Sequence, residues 1–148
     1  MGGSIRRLPI LIWALLAGTS QGFASDHHWT VVTLARDGSW GVARDSAQSQ
    51  AIAEAIRRCK AMAGPSNDCG AQFMAARNGW IIANLCSDHK VIASGNSLID
   101  AERDSLNREI SLQFSYVPDL PPCKRIVTVD PSGAIVPLSQ QHSSARAR

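Results

Sequence analysis

The chain has 148 residues, with 15 Lys and Arg against 12 Asp and Glu and a formal net charge of +3. Two of the basic residues, Arg6 and Arg7, fall in an N-terminal leader, so the remainder carries 13 minus 12, or +1. A domain so close to neutral lacks the electrostatic footprint of a nucleic-acid binder.

Residues 1–24 read as a secretory signal. Arg6 and Arg7 form the positive start, residues 8–17 a short apolar run, and Gly22 and Ala24 the −3 and −1 positions of a cleavage site. The apolar run falls well short of the ~20 residues that a bilayer span needs, which argues against a retained anchor. No cysteine stands near the cut to carry a lipid. Cleavage is expected after Ala24, releasing a periplasmic or secreted protein with one domain over 25–138 and an unstructured polar tail over 139–148.

Within that domain, 29–35 and 40–44 are β-branched-rich runs separated by the turn signal Asp37-Gly38, a hairpin. Asp45, Ser46 and Ser49 crowd the next boundary, with Ser46 expected to cap a helix. That helix carries Ile52, Ala55, Ile56, Cys59, Met62 and Ala63 at i, i+3, i+4, i+7 spacing, a face turned toward a sheet. Gly64-Pro65 ends it. Runs over 69–76 and 80–86 flank Asn78-Gly79, a two-residue hairpin signal, and Asp88-His89 turns the chain into 90–94. Ser97 then caps a second helix, with Asp100 completing a capping box. Its apolar stripe is thinner: Ile99, Leu106 and Ile110. Residues 112–117 have the composition of a strand extension, 123–129 of a full strand, and 130–133 of a turn into 134–136.

The second half repeats the first faintly. A shift of 51 places Trp29 on Trp80, Leu34 on Leu85, Asp37 on Asp88 and Ser46 on Ser97, with Cys59 falling on Ile110. Two ββαβ units and a short extra strand imply an α+β fold, an antiparallel sheet covered on one face by two helices. Burial of the helix stripes is expected to supply most of the stability, with Ile52, Ile56 and Ile110 as its centre.

Cys59, Cys69, Cys86 and Cys123 make an even set in an exported chain, which reads as two disulfides. Their spacing fits no zinc array. Four cysteines permit three connectivities. Cys59 faces inward near a helix end and Cys69 follows a short loop, so Cys59–Cys69 with Cys86–Cys123 is favoured.

The residues Trp29, Gly38, Trp40-Gly41, Ser46, Ala51, Ala55-Ile56 and Cys59, followed by Cys69, resemble a bacterial exported family, domain-of-unknown-function family number four-one-eight-nine. Its members resemble this chain in joining a W…G-x-[WY]-G hairpin to an A-x-x-x-A-[IL]-x-x-C helix, over roughly 29–105 here. Ile110 stands where a second copy would repeat the helix cysteine, and Cys86 comes later than the usual third cysteine. The resemblance implies a small disulfide-bearing envelope domain and brings no reaction with it.

No nucleophile–base signature is present: there is no G-x-S-x-G elbow and no S-x-x-K motif. No catalytic residue and no cofactor are assigned. Scattered carboxylates (Asp37, Asp88, Glu54, Glu102) leave a glycosidase-type pair only as a spatial accident. Trp29, Trp40 and Trp80 belong in the hairpin core, or serve as anchors for a partner or glycan if exposed. Cleavage after Ala24 would start the mature chain Ser25-Asp26-His27, where the amine, two backbone nitrogens and the His27 imidazole can form a square-planar Cu(II) or Ni(II) site. A frayed, unbound terminus is the plainer reading. The function expected is a protein-binding or inhibitory module that docks on another envelope or secreted protein. A small envelope hydrolase using serine or carboxylate chemistry is the alternative.

Overall fold

The computed structural model describes residues 27–62 and 68–138. The leader, its cleavage point, Ala63, the Gly64-Pro65 stop and the tail lie outside the described residues. The elements are β1 (Trp29–Leu34), β2 (Trp40–Asp45), α1 (Gln48–Met62), β3 (Phe73–Arg77), β4 (Trp80–Cys86), β5 (His89–Gly95), α2 (Leu98–Ser115) and β6 (Lys124–Val129). The fold is α+β, and the order ββαβ occurs twice.

All strand pairing is antiparallel, and the strands divide by halves of the chain. β1 lies between β2 and β3, and β4 lies between β5 and β6, giving two three-stranded sheets. Side-chain alternation explains how they stack. Val32, Leu34 and Val42 leave one face of the first sheet and meet Ile81, Ala83, Ile92, Val127 and Val129 of the second. Val31 and Ala43 leave the opposite face and meet Ala51 and Ala55 of α1. Each sheet thus has one face on a helix and the other on its sister sheet, in the layer order α1, sheet, sheet, α2.

The main apolar core consequently lies between the sheets, eight buried residues against four under α1. This differs from the expectation that the helix stripes would dominate. Ile52 and Ile56 are only half-buried, and Ile110 is 41% exposed. What α1 turns inward is small: Ala51, Ala55 and Cys59. Gly41 of β2 sets this choice, because a Cβ built there would fall 1.9 Å from the Ala55 carbonyl oxygen. Helix and strand meet backbone to backbone, and large side chains have no room between them.

Local signals mostly act as read. Gly38 has φ +86° in the β1–β2 turn, where the Asp37 carboxylate accepts from the Ser39 N–H at 2.9 Å. Ser97 caps α2, accepting from the Asp100 N–H at 3.1 Å while its hydroxyl donates to the Asp100 carboxylate at 2.7 Å. At α1 the first helical bond runs from the Ala51 N–H to the Ala47 carbonyl, so the boundary falls one residue past Ser46, and Asp45 accepts from the Ala47 N–H at 2.8 Å in the turn before it. Asn78-Gly79 joins no hairpin. β3 pairs with β1 and β4 with β5 and β6, so this turn, with Asn78 at φ +51°, carries the chain from one sheet to the other. The β4–β5 turn falls on Ser87-Asp88, with His89 already paired to Cys86. Residues 112–115 are the last turn of α2 rather than a strand, and 134–136 forms a single bridge, Val129 to Ile135.

Both disulfides are as favoured: Cys59 with Cys69, ten positions apart, and Cys86 with Cys123, 37 apart. The first ties the end of α1 to the approach to β3. The second ties the end of β4 to the start of β6 across the return from α2.

Candidate functional site

The three tryptophans are half-buried. Trp29 packs at the margin of the α1 cluster, with the Arg77 guanidinium 4.3 Å from its ring centroid, a cation–π contact. Trp40 packs at the edge of the inter-sheet core. Trp80 opens β4 opposite Gly95. Trp29 and Trp40 stand at opposite ends of the β1–β2 pair. His27 is exposed just before β1, while Ser25 and Asp26, and with them the square-planar site, lie outside the described residues.

Beneath α2, a polar cluster occupies the place of an apolar stripe. Asn84, on the outer face of β4, donates to Ser105 Oγ at 2.9 Å and to Glu109 Oε1 at 2.5 Å. Its carbonyl oxygen accepts from Arg125 Nε at 2.9 Å, and Ser105 Oγ donates to Glu109 Oε1 at 3.1 Å. Arg125 also lies 3.8 Å from the Glu102 carboxylate. Serine beside carboxylate is the pairing that a hydrolase would use. Here the pair lies at the floor of a small depression of about 260 Å³, but Ser105 is 2% exposed and the Glu109 oxygen facing it already accepts from Asn84, so that oxygen is shared between two donors and not kept as a base for the hydroxyl. The cluster is a polar dock that holds α2 on its sheet, and every buried polar side-chain atom among the described residues has a partner.

Cys86, Glu109 and Cys123 bring their ligating atoms within 4.8 Å of one another. The two sulfurs are bonded to each other, so the group is a disulfide beside a carboxylate rather than three metal ligands. The scattered acids remain separate. Glu54 is held by Arg57 and Arg58, Glu102 faces Arg125, Asp88 lies 3.4 Å from His89, and Asp37 serves its turn.

With its small and polar side inward, α2 presents its apolar side to solvent. Ile99, Leu106, Ile110 and Phe114 are 49%, 56%, 41% and 83% exposed, and Tyr116 follows at 80%. At about 100° per residue these four fall within one stripe, opposite Ala101 and Ser105. Leu120, Pro121 and Pro122 lie alongside Leu106 and Ile110 across a shallow groove of about 130 Å³, widening the apolar surface. Sequence periodicity found Ile99, Leu106 and Ile110 and assigned them to the core; the structure puts them outside and adds Phe114, expected in a strand extension, to the same stripe.

On the other flank of α2, a cleft of about 580 Å³ opens toward β5, lined by Lys90, Asp104, Arg108, Ser111, Leu112 and Tyr116 among others. Its charges are matched. Arg108 meets Asp104 at 2.9 Å, and Lys90, with its side chain 8% exposed, forms an ion pair with Asp68. Asp68 also accepts from the Arg36 N–H at 2.8 Å, and Lys90 followed by that bond holds its carboxyl below the usual range. A lowered folded-state value means that the stabilisation is present above the unfolded pKa, about 3.9, and is lost as pH falls through the folded one. Midpoints of urea unfolding are therefore expected to drop below pH 4, with the drop shallower in Asp68→Asn. At pH 7 that variant, leaving Lys90 buried without its counter-charge, is expected to cost about 2 kcal/mol, less than a fully buried pair because Asp68 touches water. Equal pH slopes in the two proteins would reject this assignment.

Among the described residues no helix is long and apolar enough to cross a membrane. Comparison with protein-family models, with curated proteins and with solved structures gives no match.

Proposed function

We propose that this chain is an exported binding module that docks on another envelope or secreted protein through the outer face of α2, for instance as an inhibitor or immunity factor. The observation that carries the reading is the outward stripe Ile99, Leu106, Ile110 and Phe114. A helix whose inner face is satisfied by a polar cluster, yet whose outer face is aliphatic and aromatic, matches the amphipathic-helix-in-groove mode of recognition. Contiguous exposed apolar surface on a small domain marks an interaction site. The partner chemistry that fits is an apolar groove wide enough for one helix face. Two disulfides support folding in an oxidising compartment, in keeping with a leader cut after Ala24 and release into the periplasm or medium. The hairpin–helix–cysteine likeness to the unknown-function family is part of the same proposal.

Affinity capture from periplasmic extract, with wild type and stripe variants in parallel, tests this. Leu106→Glu and Phe114→Ser are expected to leave stability within about 0.5 kcal/mol, as exposed substitutions do. A partner retained by the wild type should be weakened by both, roughly 30-fold for Phe114→Ser if the ring is an anchor worth about 2 kcal/mol. Retention indifferent to both changes rules out this face. Intact mass of the exported protein tests the leader: a mature start other than Ser25 removes both the assigned cut and the His27 metal motif.

A further inference from the structure

At the open edge of the sheet stack, α1, the edge strand β2 and Ile135 leave an apolar slot of about 330 Å³ between Trp40, Val42, Met62 and Ile135, with Arg57 and Arg58 on its rim. Met62 and Ile135 are 58% and 50% exposed. Nothing in the α2 reading uses this surface, which runs along the β2 edge from the end of α1 to Ile135, bridged to Val129 of β6.

The rim is built so that its arginines are fixed without being exhausted. Arg57 gives Nε and Nη2 to the two oxygens of Glu54, both at 2.7 Å. Arg58 gives Nε to Glu54 at 2.7 Å and Nη1 to the Val42 carbonyl at 2.8 Å. Arg57 Nη1 and Arg58 Nη2 remain as donors, and two guanidiniums on one carboxylate leave a local charge of +1. That charge persists at every physiological pH, because the two arginines, Arg57 foremost, hold Glu54 down at about 2. Guanidiniums already held in place lose little freedom on binding a further carboxylate. Below them the lining is tryptophan, valine, isoleucine and a methionine that can adjust to an irregular guest. Tryptophan and arginine around an apolar depression are the residue types that carry interface energy once a partner excludes water from them.

We infer that this slot receives a segment of a partner polypeptide in which a bulky apolar side chain stands next to a carboxylate. The apolar chain fills the space between Trp40, Met62 and Ile135, and the carboxylate takes the two remaining guanidinium donors. Charge complementarity selects the acidic neighbour, and the apolar lining selects the apolar one. With α2 facing the other way, the chain would bridge two partners rather than cap one.

The test is a titration of the disulfide-intact, ¹⁵N-labelled chain with the acetylated, amidated pentapeptide Ser-Phe-Glu-Asp-Ser, followed by NMR. The expected result is shifts at the Trp40 indole N–H and at the Arg57 and Arg58 Nε–H groups, with an affinity that falls as salt is raised. Ser-Phe-Lys-Lys-Ser and Ser-Ser-Glu-Asp-Ser should each bind at least tenfold more weakly. Arg57→Gln is expected to weaken binding about fivefold, and Met62→Ser or Ile135→Ser about tenfold, all three at exposed positions. Equal affinity for the lysine peptide, or no shift at millimolar peptide, overturns the inference. Dodecanoate producing the same shifts at lower concentration than the peptide also overturns it, in favour of a lipid-type ligand. The α2 face plays no part in this measurement, so its outcome is separate from that of the proposed function.

Discussion

Gly41→Ala is expected to destabilise the domain by about 3 kcal/mol or more, although glycine to alanine in a strand ordinarily gains stability from the unfolded state. The sign reverses because the new Cβ has nowhere to go. It would lie 1.9 Å from the Ala55 carbonyl oxygen and 2.7 Å from the Cys59 nitrogen, both backbone atoms of α1. No rotamer change relieves a clash with backbone, so α1 must move off β2. That motion opens the cluster of Val31, Ala43, Ala51 and Ala55, and it is resisted by Cys59, fixed to Cys69 at the helix end. Urea unfolding followed by circular dichroism should show a lower midpoint at an unchanged slope. The double variant Gly41→Ala with Ala55→Gly provides the check. The obstruction is the carbonyl and not the Ala55 methyl, so the second change should restore nothing. Recovery of stability in the double variant would contradict the backbone-contact account.

Replacing Cys86 and Cys123 together by alanine is expected to cost about 4 kcal/mol, against about 3 kcal/mol for the Cys59–Cys69 pair. The difference follows from the lengths of chain closed, 37 positions against ten. Releasing a longer loop returns more conformational freedom to the unfolded chain. The longer loop contains β5 and α2, so its release also loosens the layer that rests on Asn84, Ser105 and Glu109 rather than on apolar burial. For a domain whose whole stability is of order 5–15 kcal/mol, either loss is large. Non-reducing thermal melts of the two double variants measure the ranking directly. A larger loss for the shorter loop would mean that strain or packing at Cys59, not loop closure, sets the contribution.

The disposition of α2 shows how a correct local reading yields a misplaced face. Aligning the halves by a shift of 51, which suits the strands, puts Ile110 on Cys59. The helices align instead at a shift of 50: Ala51 with Ala101, Ala55 with Ser105, and Cys59 with Glu109, all buried or half-buried. One residue in a helix is a turn of about 100°, enough to exchange the inner and outer faces. Periodicity reports that an apolar stripe exists. It does not report whether the chain's own sheet or another molecule covers it.

The two sheets carry a similar lesson. The runs 29–35 and 80–86 are apolar at nearly every position, the pattern of a strand buried on both faces. A single sheet covered by helices on one side would leave the other side of each strand wet. Asn78-Gly79 reads as a hairpin because its residues tolerate positive φ, and Asn78 does adopt it. Whether such a turn closes a hairpin or passes between sheets depends on which strands β3 and β4 find as partners, which no dipeptide specifies.

Sequence alone determined the elements that rest on neighbouring residues: the strand and helix order, the Gly38 turn and the Ser97–Asp100 cap; it favoured the disulfide pairing that the structure shows without fixing it. These elements depend on φ preferences and caps, whose energies are settled within a few residues of one another. Tertiary structure decided the division into two sheets, the backbone contact at Gly41, the polar dock at Asn84 and the outward apolar stripe of α2. Those depend on which distant surfaces meet and how closely, and the close approach of small residues is what turned the large ones toward solvent.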